Sequence, residues 1–252
     1  REISPVILNI VLSCLSIFPF YHFVKKEFIA SGALFSTFLF IISPVLFRNS
    51  FMALSETPFW FFMVSALYLL SKGFESKKTI WFFAGGIFMT LASGFRFEGW
   101  LLIPLLSLII LLRKNMKGSF TFALASSIFP LIWVYYSYVS NGTFFHPEAP
   151  VFSAPITGDQ PFDWEGFARK GWFYPLSWVL SVGPVTAFFL MKYITKRTMP
   201  KALVFWAILP LIIMAVFLYK SYSGSIMLQH RFTGVLAILT IPFFSFFSDE
   251  KL

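Results

Sequence analysis

The sequence is poor in charge and nearly devoid of cysteine. Only 12% of its 252 residues are charged, against about 25% in a typical soluble domain. A single cysteine, Cys14, permits neither an internal disulfide nor a zinc knuckle. Set within an apolar run, it reads as a small core residue. No Walker loop, HExxH, GxSxG or CxxC occurs, which argues against an ATP-driven pump or a zincin. No acid sits at the centre of an apolar run, as proton-coupled carriers commonly require. No pair of Gly/Pro-broken runs recurs in two matching halves. Solenoid repeats are absent, as is any low-complexity tract beyond an enrichment in Phe. No signal-peptide pattern precedes the first apolar run. The chain opens on Arg1 rather than Met, so further chain is expected upstream.

What is present points to a membrane. Apolar residues make up 58%, with 36 Phe, and the mean hydropathy is +0.77. A transmembrane helix needs about 20 apolar residues to cross about 30 Å of hydrocarbon. Nine runs approach that length: 3–24, 28–47, 51–71, 79–95, 99–112, 119–140, 173–191, 203–219 and 232–247. The expected fold is therefore all-α, a polytopic integral membrane protein of about nine transmembrane helices. The expected organisation is a single membrane domain over residues 1–252, with one long loop at about 141–172. Pro104, Pro130 and Pro210 fall inside runs and are expected to kink their helices. Trp60, Trp81, Trp100, Trp172 and Trp178 lie near run ends and fit an interfacial aromatic belt.

The net charge of +9 sets topology rather than marking a nucleic-acid partner. Connectors after the first, third, fifth, seventh and ninth runs hold 13 of the 20 cations, among them Lys25, Lys26, Lys72, Arg113 and Lys114. The positive-inside rule places that set in the cytoplasm. The opposite, outer side holds seven of the 11 acids and the long loop, which includes the sequon Asn141-Gly142-Thr143.

Charged groups near a bilayer are expensive and normally pair or serve a pathway. Three polar clusters fall at outer run ends. They are Arg48-Asn49-Ser50 with Ser55-Glu56-Thr57-Pro58, Arg96-Phe97-Glu98-Gly99, and Gln229-His230-Arg231-Phe232. Arginine offers a fork for phosphate oxygens, and glutamate offers a base or hydrogen-bond acceptor. A shallow site for an anionic, membrane-anchored substrate would look like this. Plainer readings stand beside it. Arg96 and Glu98 pair at a helix turn, although a spacing of two does not put both on one helix face. Glu56 opens a helix, and Arg231 anchors to headgroups. His146 and Glu148, in the long loop, are candidate metal or substrate ligands, but a pair without further ligands makes a thin metal site.

In this order the motifs resemble a known family. The stretch at residues 35–70, FSTFLFIISPVLFRNSFMALSETPFWFFMVSALYLL, resembles the third and fourth spans of GT-C glycosyltransferases. ASGFRFEGWLLIPLL at 92–106 is similar to the segment that follows, and QHRFTGVLAILTIPFF at 229–244 to a late span. The nearest branch holds protein mannosyltransferases and the aminoarabinose transferases of lipid A. The resemblance implies transfer of a sugar from a polyprenyl-phosphate donor to a protein, lipid or glycan acceptor at the outer or luminal face, by inverting displacement. It implies Arg96 and Arg231 for phosphate contact, Glu56 for a substrate hydrogen bond, and Glu98 for orienting Arg96, with Arg48 and His230 as further candidates. The family's acidic catalytic motif would lie upstream of Arg1, so the first span and that loop are expected to be missing. No cofactor is expected. A divalent metal is compatible with the family, with His146, Glu148 and His230 as its only candidate ligands. The remaining partners would be membrane lipids, without nucleic acid. The expected location is the plasma membrane of a prokaryote rather than the endoplasmic reticulum. Two alternatives stay open: a carrier or flippase for a lipid-linked solute, and a non-catalytic membrane subunit.

Overall fold

The structure is a computed structural model that describes residues 3–142, 144, 171–182, 201–222 and 229–248. Among the described residues it is 89% helical, without strands. The helices are α1 (Ile3–Glu27), α2 (Ala33–Ile42), α3 (Pro44–Ser50), α4 (Glu56–Ser76), α5 (Thr79–Phe95), α6 (Glu98–Leu112), α7 (Met116–Ser126), α8 (Ile128–Asn141), α9 (Phe173–Val182), α10 (Lys201–Tyr222) and α11 (Gly234–Thr240), with 3-10 turns at 30–32, 230–233 and 241–248.

Each of the nine apolar runs carries helix. Length and composition single out fewer as membrane spans. Among the described residues three qualify: Ile3–Glu27, Met116–Ser140 and Leu203–Ser221. A fourth is made if Ala30–Ile42 and Pro44–Ser50 count as one span bent by 58°. The bend has a local cause. Ser43 precedes Pro44 and takes φ −54° and ψ 123°, because the proline ring drives its predecessor out of the helical region. Pro104 and Pro210 lie within α6 and α10 as expected. Pro130 does not interrupt a helix. It sits in the first turn of α8, where its missing N–H has no helical partner to lose, and the break falls earlier, at Ser127.

α4 is the central element. It packs between α1 and α5, and α11 closes on its first turns. Phe59, Trp60, Met63, Val64, Leu67 and Leu70 of α4 are all buried. The outer flanks behave oppositely: Phe18 is 60% and Leu34 71% exposed. In water such a surface would aggregate; in a bilayer it meets acyl chains. Cys14, expected in the core, is exposed on this flank. Trp60, expected in the interfacial belt, is 4% exposed. It lies against Gly234, where a Cβ would come within 2.2 Å of the indole Cζ2. That close approach seats α11 on α4. Gly234→Val is therefore expected to push α11 off α4. The cost is about 1–3 kcal/mol of overpacking, read as a lower apparent melting temperature of the detergent-solubilised protein, whereas Gly94→Ala, which meets only ordinary contacts near Phe129, should leave it unchanged.

Two buried ionic clusters mark the two ends of this bundle. The chain runs along α4, returns along α5 and goes back along α6. The start of α4, the end of α5 and the start of α6 therefore share one end. The ends of α1, α4 and α6 share the other. Glu56 and Glu75, at the two ends of α4, are about 28 Å apart at 1.5 Å rise per residue, close to the hydrocarbon thickness of a bilayer.

Candidate functional site

At the first end, Glu56 and Glu98 each occupy the first turn of a helix, where a carboxylate is favoured by the exposed N–H groups. Arg96 lies between them. Its backbone is extended, φ −152° and ψ 141°, so α5 stops there and the chain reverses into α6. The sharp reversal lets residues two apart in sequence meet. Arg96 Nε and Nη2 donate to the two oxygens of Glu98 at 3.1 and 2.6 Å, and Nη1 donates to Glu56 Oε1 at 2.5 Å. The turn is braced by Trp100 Nε1 donating to the Ser93 carbonyl at 3.1 Å. Gly99 is needed here, since a Cβ would stand 2.8 Å from Ser93 Cα.

The side chains of Glu56, Arg96 and Glu98 are 1%, 12% and 14% exposed. Burial works against charge on the Arg96 guanidinium. Glu98, and then Glu56, more than offset it and hold its pKa above the ordinary arginine value. Arg231 enters from the 3-10 turn that precedes α11. Its Nε lies 3.3 Å from Glu56 Oε1, an ion-pair distance without the alignment of a hydrogen bond. Both guanidiniums lie over the ring of Phe232, at 4.7 Å for Arg96 and 5.3 Å for Arg231.

Glu56 Oε2 and Arg231 Nε are buried and have no hydrogen-bond partner among the described residues. Nearby, Asn49 Nδ2 is likewise buried without one, while the Asn49 carbonyl accepts from Thr57 Oγ1 at 3.1 Å. Buried polar atoms are nearly always bonded, so three unpartnered atoms around α3, α4 and the 230–233 turn mark this end as unusual.

The sequence-derived candidates divide cleanly. Glu56, Arg96, Glu98 and Arg231 come together. His230 stands beside them, exposed, with Nδ1 2.7 Å from Ser177 Oγ of α9. Arg48 is exposed on α3 and makes no ion pair among the described residues. His146, Glu148 and the long loop lie outside the described residues. No group of three or more His, Cys, Asp or Glu able to hold a metal occurs among the described residues. The sequence reading missed Tyr174 and Ser177. Tyr174 is fully buried and hydrogen-bonded to the backbone of Gln229, and together with Ser177 it ties α9 to the segment that carries Arg231. Their only signal was polar groups within an apolar run, which sequence alone does not separate from ordinary helix contacts.

No curated protein and no solved structure matches the chain at a meaningful level. A family profile does, over residues 1–138. That stretch carries Glu56, Arg96 and Glu98, but not Arg231. It covers more than half of the sequence, and it contains the three helices whose ends build the Arg96 cluster. On that match the chain belongs to the dolichyl-phosphate-mannose-protein mannosyltransferase family, a family of membrane glycosyltransferases.

Proposed function

We propose that this chain transfers a sugar from a polyprenyl-phosphate carrier to an acceptor hydroxyl, at the membrane face where Glu56, Arg96, Glu98 and Arg231 meet. The family's description names a lipid-phosphate-linked mannose donor and a protein acceptor. Mannose or a related sugar is the donor class that fits this description. The charge asymmetry of the connectors supports the outer or luminal face.

One observation carries the reading. Glu56 Oε2 is a buried acceptor in need of a donor, and Arg231 Nε is a buried donor in need of an acceptor. They belong to groups already in ion-pair contact. A ligand that satisfies both must carry a hydrogen-bond donor and an acceptor close together, as a sugar hydroxyl beside a phosphate oxygen provides. A glycosyl phosphate carries both.

The chemistry follows from charge. The acceptor oxygen attacks the anomeric carbon from the face opposite the phosphate, and the C1–O bond to phosphate breaks. The electron pair leaves on the lipid phosphate, and the acceptor's proton passes to a base. Negative charge therefore grows on the departing phosphate, where preorganised cations are worth most. Of the two arginines in the cluster, Arg231 is the less committed to protein partners and would contact that phosphate. Arg96, fixed by Glu98, would supply the second positive charge. Glu98 uses both oxygens on Arg96, so it orients rather than accepts the proton. Glu56 Oε2 would hold a sugar hydroxyl. The base is assigned to none of these four residues.

The test is transfer of labelled mannose from polyprenyl-phosphate mannose by the purified full-length protein. Glu56→Gln keeps the shape of the side chain and removes its charge. We expect turnover to fall about 100-fold, with melting lowered by less than in Arg96→Ala, because Arg96 keeps both bonds to Glu98. Absence of transfer across a panel of polyprenyl-phosphate sugars, or transfer indifferent to Glu56→Gln, would overturn the reading.

A further inference from the structure

The opposite end of the bundle holds a second site. There Glu27, whose side chain is 6% exposed, accepts from Arg113 Nη2 at 2.6 Å and from Trp206 Nε1 at 3.0 Å. The Arg113 guanidinium lies 4.1 Å from the Phe74 ring centroid. Lys26 pairs with Glu75. Between the ends of α1 and α4 opens a cleft of about 560 Å³, lined by His22, Lys25, Lys26, Glu27, Ser71 and Glu75, among others.

The charges around this cleft do not balance. Lys25, Lys26, Glu27 and Glu75 line it; Arg113 stands behind Glu27, and Lys72 stands at the rim over Tyr68, whose ring lies 5.5 Å from that of His22. Arg113 and Lys26 are matched by the two acids. Lys25 and Lys72 have no carboxylate partner among the described residues. Each instead lies near aromatic rings: Lys25 is 5.8 Å from Tyr21, and Lys72 is 4.9 Å from Tyr68 and 4.7 Å from Trp81. A surplus of two positive charges thus borders a cleft at the level of an aromatic belt, where headgroups lie. Directly along α1 toward the bundle centre, Phe18 and Leu15 are 60% and 53% exposed. Phe18 also meets the rings of His22 and Tyr68 at 4.4 and 6.0 Å. The cationic cleft is therefore continuous with an apolar strip suited to an acyl chain.

We propose that this cleft binds the phosphate of an anionic glycerophospholipid from the leaflet on the lysine-rich side. Lys25 and Lys72 contact the phosphate, and one acyl chain runs along Phe18 and Leu15. The site is remote from the Arg96 cluster and does not depend on the transferase reading. The strip of exposed apolar side chains is what favours a lipid over free phosphate, which would need none.

The test uses the full-length protein, stripped of lipid in a neutral detergent. Native mass spectrometry then counts molecules of phosphatidylglycerol, phosphatidylcholine or inorganic phosphate retained. Phosphatidylglycerol is expected to bind at least about tenfold better than phosphatidylcholine, and inorganic phosphate is expected not to displace it. Lys25→Gln/Lys72→Gln should weaken retention roughly 25-fold, at about fivefold per cation. Lys25→Arg/Lys72→Arg should keep it. Glu75→Gln should raise retention about fivefold, because it frees Lys26; misfolding cannot mimic a gain. Equal retention of the two lipids, displacement by inorganic phosphate, wild-type retention by the double Gln variant, or no gain from Glu75→Gln would each overturn the proposal.

Discussion

Arg96→Ala is expected to be among the most destabilising single substitutions in this protein. The side chain makes three hydrogen bonds to two carboxylates, and its removal strands both. Glu56 is 1% exposed and Glu98 14%, so neither can turn to water without moving a helix start. Arg231 remains near Glu56, but it has no alignment for a hydrogen bond there. Removing one partner from a buried ionic cluster costs about 3–5 kcal/mol, chiefly because the charges left behind are uncompensated. Membrane proteins commonly unfold irreversibly in detergent, so the readout is the apparent melting temperature and the aggregated fraction at a fixed heating rate. Arg96→Lys should recover only part of the loss, since an ammonium is a single point of charge and cannot fork between Glu98 and Glu56. Adding Glu56→Gln and Glu98→Gln to Arg96→Ala should recover more than half of it, because the stranded charges are then gone. An Arg96→Ala protein that melts with wild type would show that these carboxylates are solvated and that the buried cluster holds nothing together.

Arg231→Gln should separate activity from stability. The Arg231 side chain is 31% exposed and touches Glu56 only at 3.3 Å. Partly exposed ion pairs contribute about 0–1 kcal/mol, and Arg96 still neutralises Glu56 when Arg231 is lost. Melting should therefore shift little. Sugar transfer should fall by about 10²–10³-fold, the usual loss when one preorganised donor to a developing anion is removed. The loss should appear in kcat as well as in KM, because the charge on the departing phosphate grows during reaction. Binding of sugar-free polyprenyl phosphate should weaken in the same variant, since the lipid phosphate it contacts is present in the product too. If transfer by Arg231→Gln stays within about threefold of wild type, this arginine is a headgroup anchor and the leaving phosphate lies elsewhere.

Much of this could be read along the chain because a bilayer sorts residues by local chemistry. Apolar runs of span length must be helical, since hydrocarbon offers no partner for an open backbone N–H or C=O. Charged residues are expelled to run ends, so Glu56, Arg96, Glu98 and Arg231 announced themselves by position. The bend at Ser43 was not anticipated, since Pro44 lies near the end of its run and kinks were expected only at Pro104, Pro130 and Pro210. Pairing is another matter. A spacing of two argued against an Arg96–Glu98 contact on one helix face, and the contact exists because Arg96 is extended between two helices. Glu27 meets Arg113 and Trp206, 86 and 179 residues away, and no periodicity marks them. Trp60 was read as an interfacial belt residue, yet Gly234 of a distant helix covers it. A side chain's preference for hydrocarbon, interface or water is its own property and is written in the sequence. Its partner depends on which helices become neighbours, and that is decided by close packing between segments far apart in the chain.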